Sequence, residues 1–273
     1  MITSNRTHKL LAIMIGLMLG VAGCKQTPTA PATGEKANGT TATSSASSGG
    51  CYNAYYPASA TLKRTYKSSY SGNNFPPSTF TETYSNFTSE SFMHKMEFAP
   101  YEMKSKTGQT VASSGAVVVE SGVKCKPDGL MALESGNLNA GQNVQYKYKT
   151  VKTEGISYPV ESDWKVGKKW DLQYEIEGEF AKTPLPNMTA PKGTMNISSE
   201  IVGKESVTVP AGTFEAFKVS MTMTNKMVMK MNGKEMPMNN TVKSTAWFAK
   251  DVGMVKSLAD VGGASTELVS ITK

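Results

Sequence analysis

The chain has 273 residues, with 29 Lys and Arg against 22 Asp and Glu. Setting aside the first 23 residues removes Arg6, His8 and Lys9 and leaves a net charge of +5, carried by 26 Lys and the single Arg64, with His94 as the one histidine. So few arginines and histidines disfavour a specific nucleic-acid reader and a His-based metal site or Ser-His relay, while 39% apolar and 8% aromatic residues exclude wholesale disorder.

Arg6 and Lys9 precede a 13-residue apolar run, Leu10 to Ala22, interrupted only by Gly16 and Gly20. A helix needs about 20 apolar residues to cross a bilayer, so this run fits the h-region of a secretory signal instead. Val21-Ala22-Gly23-Cys24 resembles the lipobox of bacterial lipoproteins, with Val21 where Leu is commonest. The resemblance implies that the Cys24 thiol is diacylglycerated, that residues 1–23 are removed, and that the new amino terminus is acylated. A plain signal peptide with an incidental cysteine is the alternative. Two or three acyl chains, at about 0.8 kcal/mol per buried CH₂, make a durable anchor. Lys25, in place of a retaining Asp, implies the outer membrane facing the periplasm in a diderm host. In a monoderm the same signal places the protein on the outer face of the cell membrane.

Residues 24–50 comprise that cysteine and a linker. From 25 to 50 there is no aromatic residue and no Leu, Ile, Val or Met. Such a segment buries too little apolar surface to offset its ordering entropy. It reads as a flexible tether with a reach of roughly 25–30 Å.

Residues 51–273 alternate with a period of 2. Phe80, Glu82, Tyr84 and Asn86 form one row, Val144, Tyr146 and Tyr148 another, and Trp170, Leu172, Tyr174 and Ile176 a third. β-branched and aromatic residues at this spacing, bounded by Gly, Asn and Pro, predict antiparallel strands. A short helix is allowed over Gly129 to Ser135. Lys126-Pro127-Asp128-Gly129-Leu130-Met131 echoes Lys250-Asp251-Val252-Gly253-Met254-Val255. The echo admits two similar β units, 51–150 and 151–273, as well as a coincidence of turn residues. The fold class is therefore all-β and mainly antiparallel, an open or half-barrel curved sheet or two packed sheets.

Val207-Thr208-Val209-Pro210-Ala211-Gly212-Thr213-Phe214 predicts a hairpin, with Pro210 fixing φ and Gly212 permitting positive φ. Phe214 and Phe217 fall on opposite faces of a regular strand, and only a bulge would bring both to one side. This hairpin, the segment Trp247 to Lys256 and the opening Tyr55-Tyr56-Pro57 resemble a family of bacterial envelope proteins of unknown function, the TapB-like proteins. The resemblance implies an open half-barrel, similar in outline to lipoprotein-carrier folds. It implies no catalytic residue and no cofactor.

With Cys24 assigned to lipid, Cys51 and Cys125 remain, an even pair in an oxidising compartment. A disulfide between them is the expectation, with two free thiols or a thiolate metal site as the alternatives, the last without the close C-x-x-C spacing that marks such sites.

Seven of the chain's 17 Met fall within 18 residues: Met221, Met223, Met227, Met229, Met231, Met236 and Met238. The first five share one strand face, and Asn232-Gly233 signals a two-residue hairpin. That turn pairs Met229 with Met236 and Met227 with Met238, whereas a four-residue loop pairs Met231 with Met236. Pro237 assigns the returning strand to an edge or a bulge. Three readings follow: a Met-lined core face, a polarizable surface for an acyl chain or another apolar molecule, and a Cu(I) site at Met227, Met229, Met236 and Met238. Lys147, Lys149, Lys152, Lys165, Lys168 and Lys169 read as solubilising charges. Glu175, Glu177 and Glu179 read as solvated carboxylates. His94 reads as an exposed strand residue, not a catalytic base. No nucleophile elbow, phosphate loop, dinucleotide fingerprint or HExxH pattern occurs. The expectation is a lipid-anchored, non-enzymatic binding or structural module of the cell envelope. Its partners would be the membrane and an apolar ligand or another envelope protein, with no nucleic acid.

Overall fold

In the computed structural model the described residues are 51–71, 77–100, 102–104, 110–112, 116–139, 145–182, 187–260 and 263–273. They form fifteen strands. The first seven are β1 (Lys63–Ser69), β2 (Ser78–Ser85), β3 (Ser91–Phe98), β4 (Glu102–Lys104), β5 (Thr110–Ala112), β6 (Val117–Lys126) and β7 (Gly129–Asn139). β8 (Gln145–Gly155), β9 (Tyr158–Pro159), β10 (Lys169–Lys182) and β11 (Lys192–Val209) follow. β12 (Gly212–Met231), β13 (Lys234–Ala249), β14 (Gly253–Ala259) and β15 (Ser265–Thr272) complete the chain. A single 3-10 turn, Glu161–Asp163, is the one helical element among the described residues.

Thirteen strands make one antiparallel sheet in the order β6-β3-β2-β1-β15-β14-β13-β12-β11-β10-β8-β7-β9, and β4 pairs with β5. The sheet curls far enough that β6 also pairs with β7, from Val119 opposite Gly136 to Lys126 opposite Gly129. It stays open along two stretches: Lys234–Val242 of β13 is laddered only to β12, and Lys152–Gly155 of β8 only to β10. The expected open, all-β, antiparallel sheet is the fold.

Bulges supply the curvature, because an extra residue bends and twists its strand. Three of the five among the described residues fall where Val269, Val202 and Val151 are skipped in the registers of β15, β11 and β8, and the others skip Val255 of β14 and Ala181 of β10. These three valines are exposed, whereas Val255 is buried. The bulge at Val202 also switches the face of β11. Ile197 and Ile201 lie opposite Met223 and Val219, whereas Val207 lies opposite Phe214. Near the Pro210-Ala211 turn, where Gly212 has φ 136°, the sheet is therefore covered on both sides. One side carries Tyr66, Phe80, Val207, Val209, Ala216, Trp247, Val255 and Leu268, with Phe214 packed against them. The other carries Ile156, Trp164, Trp170, Ile201, Val219, Ala246 and Phe248, with Phe217. The two phenylalanines do fall on opposite faces.

The allowed helix over Gly129–Ser135 is not formed. These residues belong to β7, because the spacing of Leu130, Met131 and Leu133 fits either period and the long ladder with β6 decides. Residues 1–50, on which the expected signal segment, Cys24 and the expected linker fall, lie outside the described residues.

Candidate functional site

Asn232 and Gly233 take φ of 51° and 77°, the left-handed pair of a two-residue hairpin turn. The register is that of the shorter loop: Met231 faces Lys234, Met229 faces Met236 and Met227 faces Met238. Met221, Met223, Asn225, Met227, Met229 and Met231 occupy one face of β12, as the period predicts. Pro237 lies opposite Val228 on the stretch of β13 that has no second partner strand, where its missing N–H costs no ladder bond.

This methionine face is the inside of the roll. Met223 is buried with Tyr148, Leu172, Tyr174, Ile176, Met195 and Val242 from β8, β10, β11 and β13. Phe98 and Val119, from β3 and β6 across the roll, pack against the same cluster. Burial is uneven along the row. Met223 and Met229 are covered, at 5% and 3% exposure, while Met221, Met227, Met231, Met236 and Met238 are half-buried. Buried Asn225 interrupts the row and is satisfied by donating its Nδ2–H to Asn240 Oδ1 at 2.8 Å. The result is an apolar wall that runs from a closed aromatic and aliphatic centre to a partly uncovered thioether rim. Such a wall suits burial of a flexible apolar molecule.

Met195, Met188 and Met131 also lie on or beside this wall and were not singled out by the sequence. Met195 lies opposite Asn225 in β11, where its alternation with Ile197 was the available signal. Met188 lies opposite Met231 through an isolated bridge, and no periodic pattern surrounds it.

The far end of the roll is closed by the segment 51–62. Cys51 is disulfide-bonded to Cys125, 74 positions away, with Cα atoms 5.2 Å apart. Asn53 donates to Pro159 O at 2.7 Å, and Asp251 N–H donates to Ala54 O at 2.7 Å. Tyr55 stacks on Trp164 and Tyr56 on Tyr158, each with ring centroids 4.3 Å apart. Beneath Tyr56 lies a buried charge cluster. Arg64 donates to Glu82 Oε2 at 3.1 Å and to the Tyr84 hydroxyl at 2.9 Å, and also to Pro57 O. His94 Nε2 is 3.6 Å from Glu82 Oε1. The expectation of an exposed His94 is corrected: it is 8% exposed, because β3 places it in line with Tyr84 of β2 on the inner face. Burial pushes the Glu82 carboxyl up, but the close approach of His94, with the Arg64 guanidinium and the Tyr84 hydroxyl, outweighs it and holds the carboxyl below its ordinary range. Burial drives the Tyr56, Tyr66 and Tyr84 phenols well above theirs. Gly253, with φ 89°, leaves the room this cluster needs: a Cβ there would sit 3.0 Å from Arg64 Nη1.

The lysines of β8 face acids of β10 across the outer surface, Lys152 with Glu175, Lys149 with Glu177 and Lys147 with Glu179. These exposed ladders fit the solubilising role expected of them. Among the described residues no group of three or more His, Cys, Asp or Glu is placed to hold a metal ion.

The family model described as DUF3108-like matches residues 64–259, and the chain belongs to that family. No curated protein matches it. A solved structure from Bacteroides fragilis, described as an exported-protein candidate of YmcC-like fold, is 14% identical, covers 81% of this chain and 100% of its own, and has a TM-score of 0.37. One from Parabacteroides distasonis, described as a lipoprotein candidate, is 12% identical, covers 81% and 99%, and has a TM-score of 0.39.

Proposed function

We propose that this DUF3108-like protein is a lipid-anchored, non-enzymatic module of the cell envelope that holds an acyl chain or similar apolar molecule against the inner face of its sheet. The anchor is Cys24, supported by the lipobox resemblance and the apolar-poor linker of residues 25–50. Lys25 favours the outer membrane facing the periplasm in a diderm host, and the TapB-like resemblance of the Val207–Phe214 hairpin agrees with an envelope role. The carrying observation is the methionine row, which continues the buried wall of Leu172, Tyr174, Ile176 and Met223 into half-buried Met221, Met227, Met231, Met236 and Met238. The five half-covered thioethers on one inward face leave polarizable apolar surface that a flexible apolar molecule would bury.

The test is titration of the full chain in mild detergent with a fluorescent polyene fatty acid. Saturable binding is expected, with affinity reduced at least tenfold in Met227→Lys and unchanged in Lys149→Met on the outer face. No saturable binding, or equal affinity in both variants, contradicts the proposal.

A further inference from the structure

We infer that the tip of the β12–β13 hairpin is a thioether site for a soft monovalent cation, Cu(I), built by Met188, Met229, Met231 and Met236. The backbone register brings these four together. The bridge sets Met188 opposite Met231, and Met229 is opposite Met236. Three hydrogen bonds fix the approach of Met188: Thr189 N–H to Lys230 O at 2.8 Å, Lys230 N–H to Thr189 Oγ1 at 2.8 Å, and Asn232 N–H to Asn187 O at 3.0 Å. Directly opposed residues share a face with Cβ atoms about 5 Å apart, and i, i+2 neighbours on a strand are about 7 Å apart. Three rotatable bonds give each thioether the reach to converge on one point within that patch.

The donor set selects the ion. Thioethers are neutral and soft and favour Cu(I) over hard divalent cations. Glu235 falls on the opposite face of the hairpin, where it pairs with Lys230 at 3.4 Å. Lys234, opposite Met231, is exposed, so its ammonium can stay solvated beyond the sulfurs. Burial is graded as an entry site requires: Met188 and Met229 are 7% and 3% exposed, while Met231 and Met236 are half-buried. Compared with the four positions read from the hairpin alone, the site moves to the tip and gains Met188 and Met231 in place of Met227 and Met238. It shares the rim residues Met231 and Met236 with the wall that the acyl-chain reading uses, but not Met227 or the deeper part around Met223.

The full chain is titrated anaerobically with Cu(I) against a competing chelator, in parallel with a Cys24→Ser chain that removes any thiolate contribution. One equivalent is expected in both. Met229→Leu with Met236→Leu, volume-conserving changes, should weaken binding at least tenfold, and Met96→Leu on β3 should not change it. Methyl-labelled methionine spectra of the unmodified chain, with Ag(I) as probe, should show shifts confined to Met188, Met229, Met231 and Met236. Undiminished affinity in the double variant, or shifts at other methionines, overturns the inference. Fatty-acid binding measured on the same double variant separates the two readings, because leucine keeps the rim apolar while removing the sulfur donors, and Met227 and the deeper wall are unchanged.

Discussion

Arg64 is the one arginine of the folded body, and it is spent inside. With Glu82 it forms an ion pair whose side chains are 1% and 9% exposed, and its guanidinium carbon lies 5.3 Å from the Tyr84 ring centroid. Removing one member of such a pair leaves the other charge buried and uncompensated, at a cost of about 3–5 kcal/mol. Arg64→Met should lower unfolding stability by that amount in denaturant titration. Arg64→Met with Glu82→Gln should cost clearly less than the two single changes summed, since they share one interaction. The pH dependence follows from the same group. Glu82 is depressed in the folded state, so its contribution is present above the ordinary carboxylate pKa of about 4.3 and is lost as pH falls through the depressed value. Glu82→Gln should flatten the acid limb of the stability curve, and an unchanged limb would show that other carboxylates carry it. The inward position of Glu82 was legible, because it stands between Phe80 and Tyr84 in a period-2 row. Its partners were not, because Arg64 and His94 sit on other strands and only the register aligns them.

At the scale of elements, the two-residue turn at Asn232-Gly233 and the open edge at Pro237 could be read from residue type, since left-handed φ and a missing N–H are local properties. The bulges at Val151, Val202 and Val269 could not, because an extra apolar residue in a strand has no local signature that distinguishes it from a register slip. The same limit concealed the two-sided burial of β11–β13. The closing segment 51–62 is held by the Cys51–Cys125 bond, by Asn53 and by Arg64, with Tyr55 and Tyr56 as its apolar weight. A cross-link over 74 positions stabilises by about 4 kcal/mol in the chain-entropy model. Cys51→Ser with Cys125→Ser should lower Tm by roughly 10 °C. It should also open residues 51–62 to limited proteolysis before global unfolding, whereas cleavage only after unfolding would show that the aromatic contacts suffice to hold the segment.

As a whole, the described part of the molecule is a curled sheet with an aromatic plug at one end and a thioether rim on its inner face. The all-β class was legible from alternation alone. The closeness of the roll was not, since the β6–β7 ladder and the contacts of Phe98 and Val119 with the methionine wall join segments far apart in sequence. The central claim, an apolar occupant on that wall, is tested most directly by native mass spectrometry of the full chain extracted from its own membranes. A stoichiometric mass of an acyl-bearing molecule, additional to the covalent lipid and released by Met227→Lys, is the predicted result. A chain carrying nothing beyond its covalent modification, and taking up nothing when incubated with phospholipid or fatty acid, would contradict the account.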